Sequence, residues 1–230
     1  KIPYIRIRNF QSTTAKEVRS TLKKMASFHQ NGLIIDLRNN PGGLLMQAVA
    51  VSEIFLPAGK LVVYTKGRVI DQNRKFISKA NDGIKKIPMV IIVNAGSASA
   101  SEIVAGALQD WERATIIGEK TFGKGSVQTV MSLLDGSGLR LTTSLYYTPK
   151  DRMIQGTGIE PDIKIVDPSK SNINIVREKD LPRHLRNNKN KKIIRDKKDE
   201  KTDITFKNKD GINDYPLERA VMFLKKKIRR

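Results

Sequence analysis

Three serines spaced two apart, Ser97, Ser99 and Ser101, lie among alanines in the stretch NAGSASASE, Asn94 to Glu102. A serine hydroxyl is a weak nucleophile until a base takes its proton, so the stretch has catalytic value only if a base stands elsewhere. Without one, the same residues make a helix start. Ser99 and Glu102 stand at the S-x-x-E spacing of a capping box, and the alanines allow tight packing. The chain has two histidines, His184 in a basic tail and His29 at the end of a surface-type helix. Neither is flanked by glycine beside a strand, which argues against a Ser-His-Asp triad. There are no cysteines, which excludes disulfides, thiolate zinc sites and cysteine nucleophiles within this sequence.

Lysine is the remaining base. Lys124 stands out in TFGKGS, between Gly123 and Gly125 and with β-type sequence on both sides. A lysine withdrawn from water loses the solvation that favours its charge, and its pKa falls toward the range where it accepts a proton. Gln128 follows four residues later, on the same face if both lie in one strand, where its amide would hold a neutral amine in place. Alone, Gln128 reads as a partly exposed strand residue. The same region, GEKTFGKG from Gly118 to Gly125, fits the first part of a P-loop. However, Gly125 occupies the place of the Ser or Thr that would hold Mg²⁺, and the residues after it are β-branched where a P-loop needs a helix.

These groups need elements to place them. PYIRIR reads as a half-buried strand, and TTAKEVRSTLKKMASFHQ as an amphipathic helix with Thr14 and Glu17 as its capping box and Val18, Leu22 and Met25 as its core stripe. LIIDLR is an apolar strand, NNPGG a sharp turn, LLMQAVAVSEIFL a helix and KLVVYTKG a strand. IPMVIIVN is a fully apolar strand ending at Asn94, followed by the helix SEIVAGALQDWERA and the short strand TIIG. From Ser126 to Thr148, two β segments are joined by a DGSG turn. Alternating strands and helices predict an α/β domain with parallel strand pairs. Both NNPGG and NAGSASAS follow an apolar strand and open a helix, the corners where α/β proteins build sites and where free backbone N–H groups suit an oxyanion.

Of the 230 residues, 39% are hydrophobic and 6% aromatic, as in a globular protein with an aliphatic core. There is no apolar run long enough to span a bilayer and no secretory leader pattern. The sequence opens on Lys1, which is expected of a fragment or a processed form. The formal net charge is +20. Residues 168–230 hold 20 Lys and Arg against nine Asp and Glu, scattered through a polar segment without a nucleic-acid-binding signature, so no specific nucleic acid is expected. Nonspecific attraction to anionic surfaces, including proximity to a membrane surface, is compatible with this charge. The expected organisation is a core over 1–167, a basic, exposed or partly disordered linker over 168–212, and a helix over 213–230 docking on the core through Leu217, Val221 and Leu224.

The blocks GLIIDLRNNPGGLL, VIIVNAGSASASEIVAGALQD, GEKTFGKGSVQTV and YYTPKDRMIQGTGIEPDI, in this order, resemble the carboxyl-terminal processing peptidases, or tail-specific proteases, of the S41 class of serine peptidases. The resemblance runs over about residues 4–166, and the closing DYPLERAVMFL is similar to the last helix of some bacterial members. It implies a Ser-Lys dyad, or Ser-Lys-Gln triad, whose serine precedes its lysine by 25 residues; this singles out Ser99 with Lys124 and Gln128. It further implies an oxyanion hole from the backbone N–H groups of Ala100 and Gly43, with Gly42 the adjacent alternative. The implied fold is a crotonase/ClpP-like core of stacked ββα units, here with a basic C-terminal extension and a terminal helix. The resemblance implies no metal or cofactor, protein or peptide substrates with unstructured C-termini, and a bacterial-envelope location, periplasmic or extracytoplasmic. A dimer or larger assembly is compatible with it, as is a catalytically silent scaffold that acts as a binding or assembly module. Family members usually carry a PDZ domain, which captures substrate C-termini as an added strand, before the core. This sequence begins where the core resumes after that position.

Overall fold

The structure is a computed structural model that describes residues 1–79, 87–165, 176–182, 184–185 and 214–228, the side chains of residues 28–30 excepted. Five strands form a parallel sheet: β1 (Tyr4–Arg6), β2 (Leu33–Asp36), β5 (Met89–Val93), β6 (Thr115–Gly118) and β9 (Ile163–Lys164), side by side in the order β1-β2-β5-β6-β9. A second, antiparallel sheet has the order β4-β3-β8-β7, from β3 (Leu61–Gly67), β4 (Lys75–Ile77), β7 (Ser126–Ser132) and β8 (Gly138–Tyr147). Helices α1 (Thr14–Lys24), α2 (Leu45–Phe55), α3 (Ala100–Asp110) and α4 (Tyr215–Ile228) complete the described architecture.

The apolar runs of β2 and β5 have their explanation in this arrangement, because every residue of both strands is buried and a parallel sheet covered on both faces favours apolar side chains on each face, Asp36 at the end of β2 being the exception. The period of two divides them cleanly. Leu33, Ile35, Met89, Ile91 and Val93 face the main core with α1, α2 and α3, while Ile34, Val90 and Ile92 face a second cluster closed by Ala220 and Leu224 of α4. Ala220 and Leu224 are four apart and so lie on one side of their helix. The terminal helix therefore covers the opposite face of the sheet from the other three.

Helix α4 is also tied down by charge. Arg38, just past β2, donates to both carboxylate oxygens of Asp36 and to both of Asp214, at 2.6–3.1 Å. Asp36 is fully buried and also accepts from the Tyr4 hydroxyl at 2.7 Å. Asp214 in turn accepts the Leu217 N–H and so caps α4. Burial works against the Arg38 charge, yet its two carboxylate partners hold the guanidinium protonated beyond its ordinary range.

Local details differ from the sequence reading in three places. Thr14 is the first helical residue of α1, and Thr13 flanks it; the Thr13 hydroxyl bonds Glu17 at 2.5 Å, so the expected Thr14 capping box does not form. Strand β4 carries no apolar alternation that would announce it, and it pairs only at the sheet edge. The expected linker 168–212 lies mostly outside the described residues; within it, residues 176–182 contain a short 3-10 turn at Glu178–Asp180 that bonds to the core.

Candidate active site

The turns after β2 and β5 are neighbours because those strands pair in parallel, so their C-terminal ends emerge side by side. Asparagines stitch the turns together. Asn39 N–H donates to Asn94 Oδ1 at 2.9 Å, Asn94 Nδ2 to Asn39 Oδ1 at 2.8 Å, and Ala98 N–H to the Asn40 carbonyl at 2.9 Å. The three serines then separate by what their hydroxyls do. Ser97 is buried and donates to the Leu37 carbonyl at 2.8 Å; Ser101 is buried and donates to the Asn40 carbonyl at 3.0 Å. Both are structural fasteners between the turns. Ser99 is half-buried, and its hydroxyl makes no capping bond.

Ser99 stands at the N-terminus of α3 with φ 55° and ψ −113°, a strained conformation for a residue with a Cβ. A serine on a strained strand-to-helix corner has its hydroxyl presented outward, the logic of a nucleophile elbow. Gly42 presses against it. A Cβ on Gly42 would lie 2.7 Å from Ser99 Cβ and 2.9 Å from the Ala100 nitrogen, so only glycine fits. Among the described residues no acceptor reaches the N–H of Ala100 or of Gly43, whereas the Gly42 N–H donates to Asn40 Oδ1 at 2.9 Å. The neighbouring bonds of the Gly43 turn go to Phe10: Phe10 N–H to the Gly42 carbonyl and Leu44 N–H to the Phe10 carbonyl, each 2.8 Å.

Glu102 has a larger role than the cap its spacing suggested. Its carboxylate is fully buried and accepts four hydrogen bonds: Thr121 hydroxyl at 2.5 Å and Gly123 N–H at 2.7 Å on one oxygen, Ser99 N–H and Lys124 N–H at 2.8 Å each on the other. One carboxylate oxygen thus joins the backbone of Ser99 to that of Lys124. Burial pushes the Glu102 carboxyl up to about 7, against the four donors, which pull it down. The sequence signal was present but incomplete, since S-x-x-E names the Ser99 contact and nothing in it names Thr121, Gly123 or Lys124.

Lys124 is half-buried and lies in the loop before β7, which begins at Ser126. Its flanking glycines press on the turn Ile154–Gly158: Gly123 has φ 97°, and a Cβ on Gly125 would run into the Gln155 backbone. No hydrogen bond joins the Ser99 and Lys124 side chains among the described residues. The shared-face argument for Gln128 does not hold as expected, because Lys124 precedes the strand. Gln128 is exposed on β7, directly downstream of the lysine loop. After Gly125 comes strand β7, where a P-loop would have a helix. His184 is half-buried beside the Leu181 carbonyl, and His29 sits in the 3-10 turn before β2, at the opposite end of the sheet.

Over residues 1–165 the chain matches the family described as Peptidase family S41. It belongs to that family. The S41 chain is 47% identical over 171 residues to a carboxy-terminal-processing protease of Bartonella bacilliformis, covering 73% of this chain and 39% of the relative. It is 41% identical over 167 residues to a carboxyl-terminal-processing protease of Synechocystis, with 73% and 38% covered. Among solved structures it resembles the photosystem II D1 C-terminal processing protease, with a TM-score of 0.65 and 36% identity over 71% of this chain and 42% of that one. The S41 chain thus spans about two fifths of the length of these relatives. Its mixed α/β fold with a parallel sheet agrees with that of the family.

Proposed function

We propose that this chain is the catalytic core of a serine endopeptidase that cleaves protein substrates near their C-termini through an acyl-enzyme. One observation carries the reading. Of the three clustered serines, Ser99 has an uncommitted hydroxyl, on a strained helix-start residue whose backbone is bridged to that of Lys124 by Glu102. Lys124, acting as an uncharged amine, takes the Ser99 proton as Oγ attacks the scissile carbonyl. The N–H groups of Ala100 and Gly43 receive the oxyanion; that they have no acceptor, while Gly42 N–H has one, favours Gly43 over Gly42. The protonated lysine then gives its proton to the leaving amine, and water, activated by the same lysine, releases the acyl group. Gln128 steadies the lysine amine once substrate closes the site; support for this is its place on the strand that the lysine loop enters.

The alternation of β2–α2 and β5–α3, stacked against a second sheet, supports reading the core as crotonase/ClpP-like ββα units. The names of the relatives support processing at substrate C-termini; unstructured substrate C-termini and a location in the bacterial envelope belong to the same proposal. No helix among the described residues is long and apolar enough to cross a membrane. The test is cleavage of an unfolded substrate with an apolar C-terminus. Ser99→Ala and Lys124→Ala each abolish it; near-normal cleavage by Lys124→Ala would show that another group is the base, and labelling of Ser99 by a serine-directed phosphonate separates an enzyme from a silent scaffold.

A further inference from the structure

The loop that carries Lys124 is held from two sides, and only one has been accounted for. Its N–H groups at Gly123 and Lys124 go to Glu102, and the next, at Gly125, donates to Gln155 Oε1 at 2.9 Å. Three successive carbonyls just upstream, those of Lys120, Thr121 and Phe122, are taken by a segment beyond the S41 match. Arg177 Nη1 donates to the Lys120 carbonyl at 2.5 Å and to the Thr121 carbonyl at 2.8 Å, and Glu178 N–H donates to the Phe122 carbonyl at 3.1 Å. The two grips are connected. Gln155, fully buried, donates through Nε2 to Glu178 Oε1 at 2.9 Å while its own Oε1 holds Gly125. Asp180 closes the turn by accepting the Arg177 N–H at 2.9 Å.

We propose that residues 176–182 form a strap that sets the position of Lys124, with Arg177, Glu178 and Gln155 as positioning residues. The proposal rests on the reading of Lys124 as the base. The strap touches the loop backbone upstream of the lysine directly and downstream of it through Gln155, and leaves its side chain alone, so it governs where the amine stands. A loop with three fixed carbonyls and three fixed N–H groups has few conformations left, and an amine displaced by about 1 Å loses catalytic efficiency steeply. Among the described residues no hydrogen bond joins the strap to the Ser99 turn or to the Gly42 and Gly43 turn, so its loss falls on turnover and spares substrate binding.

The experiment compares the whole chain with its Arg177→Ala, Glu178→Ala, Glu178→Gln, Gln155→Glu and Gln155→Glu/Glu178→Gln variants. The readouts are kcat and KM on a quenched-fluorescence peptide, and hydrogen exchange of the Lys124 and Gly125 amides, which needs no turnover. Arg177→Ala and Glu178→Ala lower kcat by on the order of tenfold with KM within about twofold, and speed exchange at both amides. Glu178→Gln, whose side-chain carbonyl still accepts from Gln155, stays within about twofold of the parent. Gln155→Glu sets two carboxylates face to face and is slow; the exchanged pair recovers, which a merely structural loss would not do. Parental kcat and exchange in both alanine variants overturn the strap, as does a loss confined to KM or an exchanged pair no better than Gln155→Glu. Turnover by Lys124→Ala would sink the base assignment and the strap with it; an inactive Lys124→Ala beside unaffected strap variants would sink the strap alone.

Discussion

Replacing Glu102 by glutamine separates stability from catalysis. The carboxylate offers acceptor positions to four donors, two on each oxygen. An amide offers one oxygen and two N–H donors, so it serves either the Thr121 and Gly123 pair or the Ser99 and Lys124 pair, and orphans a buried backbone N–H at a cost of about 1–3 kcal/mol. Against this stands the pH-linked term. The native carboxyl titrates at about 7, against an ordinary value of 4.5. The folded pKa lies above the unfolded one, so the contribution of this group to stability is whole below about pH 4.5 and lost as pH rises toward 7. That gap corresponds to about 3 kcal/mol, which glutamine, neutral throughout, does not lose. Urea unfolding followed by circular dichroism should therefore show Glu102→Gln gaining about 3 kcal/mol on the parent between about pH 4.5 and pH 8. Peptide turnover at about pH 8 should nevertheless be slower by roughly 10–100-fold, since the lost hydrogen bonds fix Ser99 against Lys124. A kcat within about twofold of the parent would refute the bridging role of this carboxylate, and a stability difference that does not change with pH would refute its raised pKa.

Other substitutions probe the surrounding supports. Gly42→Ala drives a Cβ into Ser99 and the Ala100 nitrogen, and should cut kcat at least about 100-fold while the circular dichroism spectrum stays native. Leu224→Ala removes a fully buried anchor of α4 and should cost about 2–5 kcal/mol in urea unfolding. Asp214→Ala leaves Arg38 facing Asp36 without its second partner and should cost about 3 kcal/mol, less than the loss in Asp36→Ala, where a buried guanidinium loses the nearer carboxylate. Thr121→Val deletes the hydroxyl that donates to Glu102 and accepts from Ile159 N–H, and should lower stability by about 1–3 kcal/mol and slow turnover, measured in the same two assays.

The main sheet and its helices were legible because β2 and β5 are short and, Asp36 apart, apolar, with Gly32 before β2 and Pro88 and Asn94 around β5, and because Leu217, Val221 and Leu224 keep helical spacing in α4. What escaped was non-local. Ser99 could be singled out in the sequence only through a family spacing, because the hydroxyl partners that occupy Ser97 and Ser101 lie about 60 residues away, at Leu37 and Asn40. Glu102 looked like a cap because local spacing sees the Ser99 contact and cannot see a loop some 20 residues on folding back over it. The shared-face argument for Lys124 and Gln128 failed because Lys124 lies in the loop ahead of β7, where the period of two does not apply. The Arg177 and Glu178 grip lies in a stretch whose composition reads as solvated, and composition carries no information about backbone carbonyls waiting to be met.

The Arg38–Asp214 pair closes a separation of 176 residues, and Arg38 stands at the root of the turn that ends in Gly42 and Gly43. A chain still emerging from the ribosome can pair β2 with β5, but one face of that sheet stays bare and Arg38 stays half-matched until residue 214 is free to dock. The turn of Gly42 and Gly43 should therefore settle only once residue 214 has been made, well after Ser99 and Lys124. The order of appearance along the chain would thus act as a timing device, keeping the proposed site from forming before α4 has arrived.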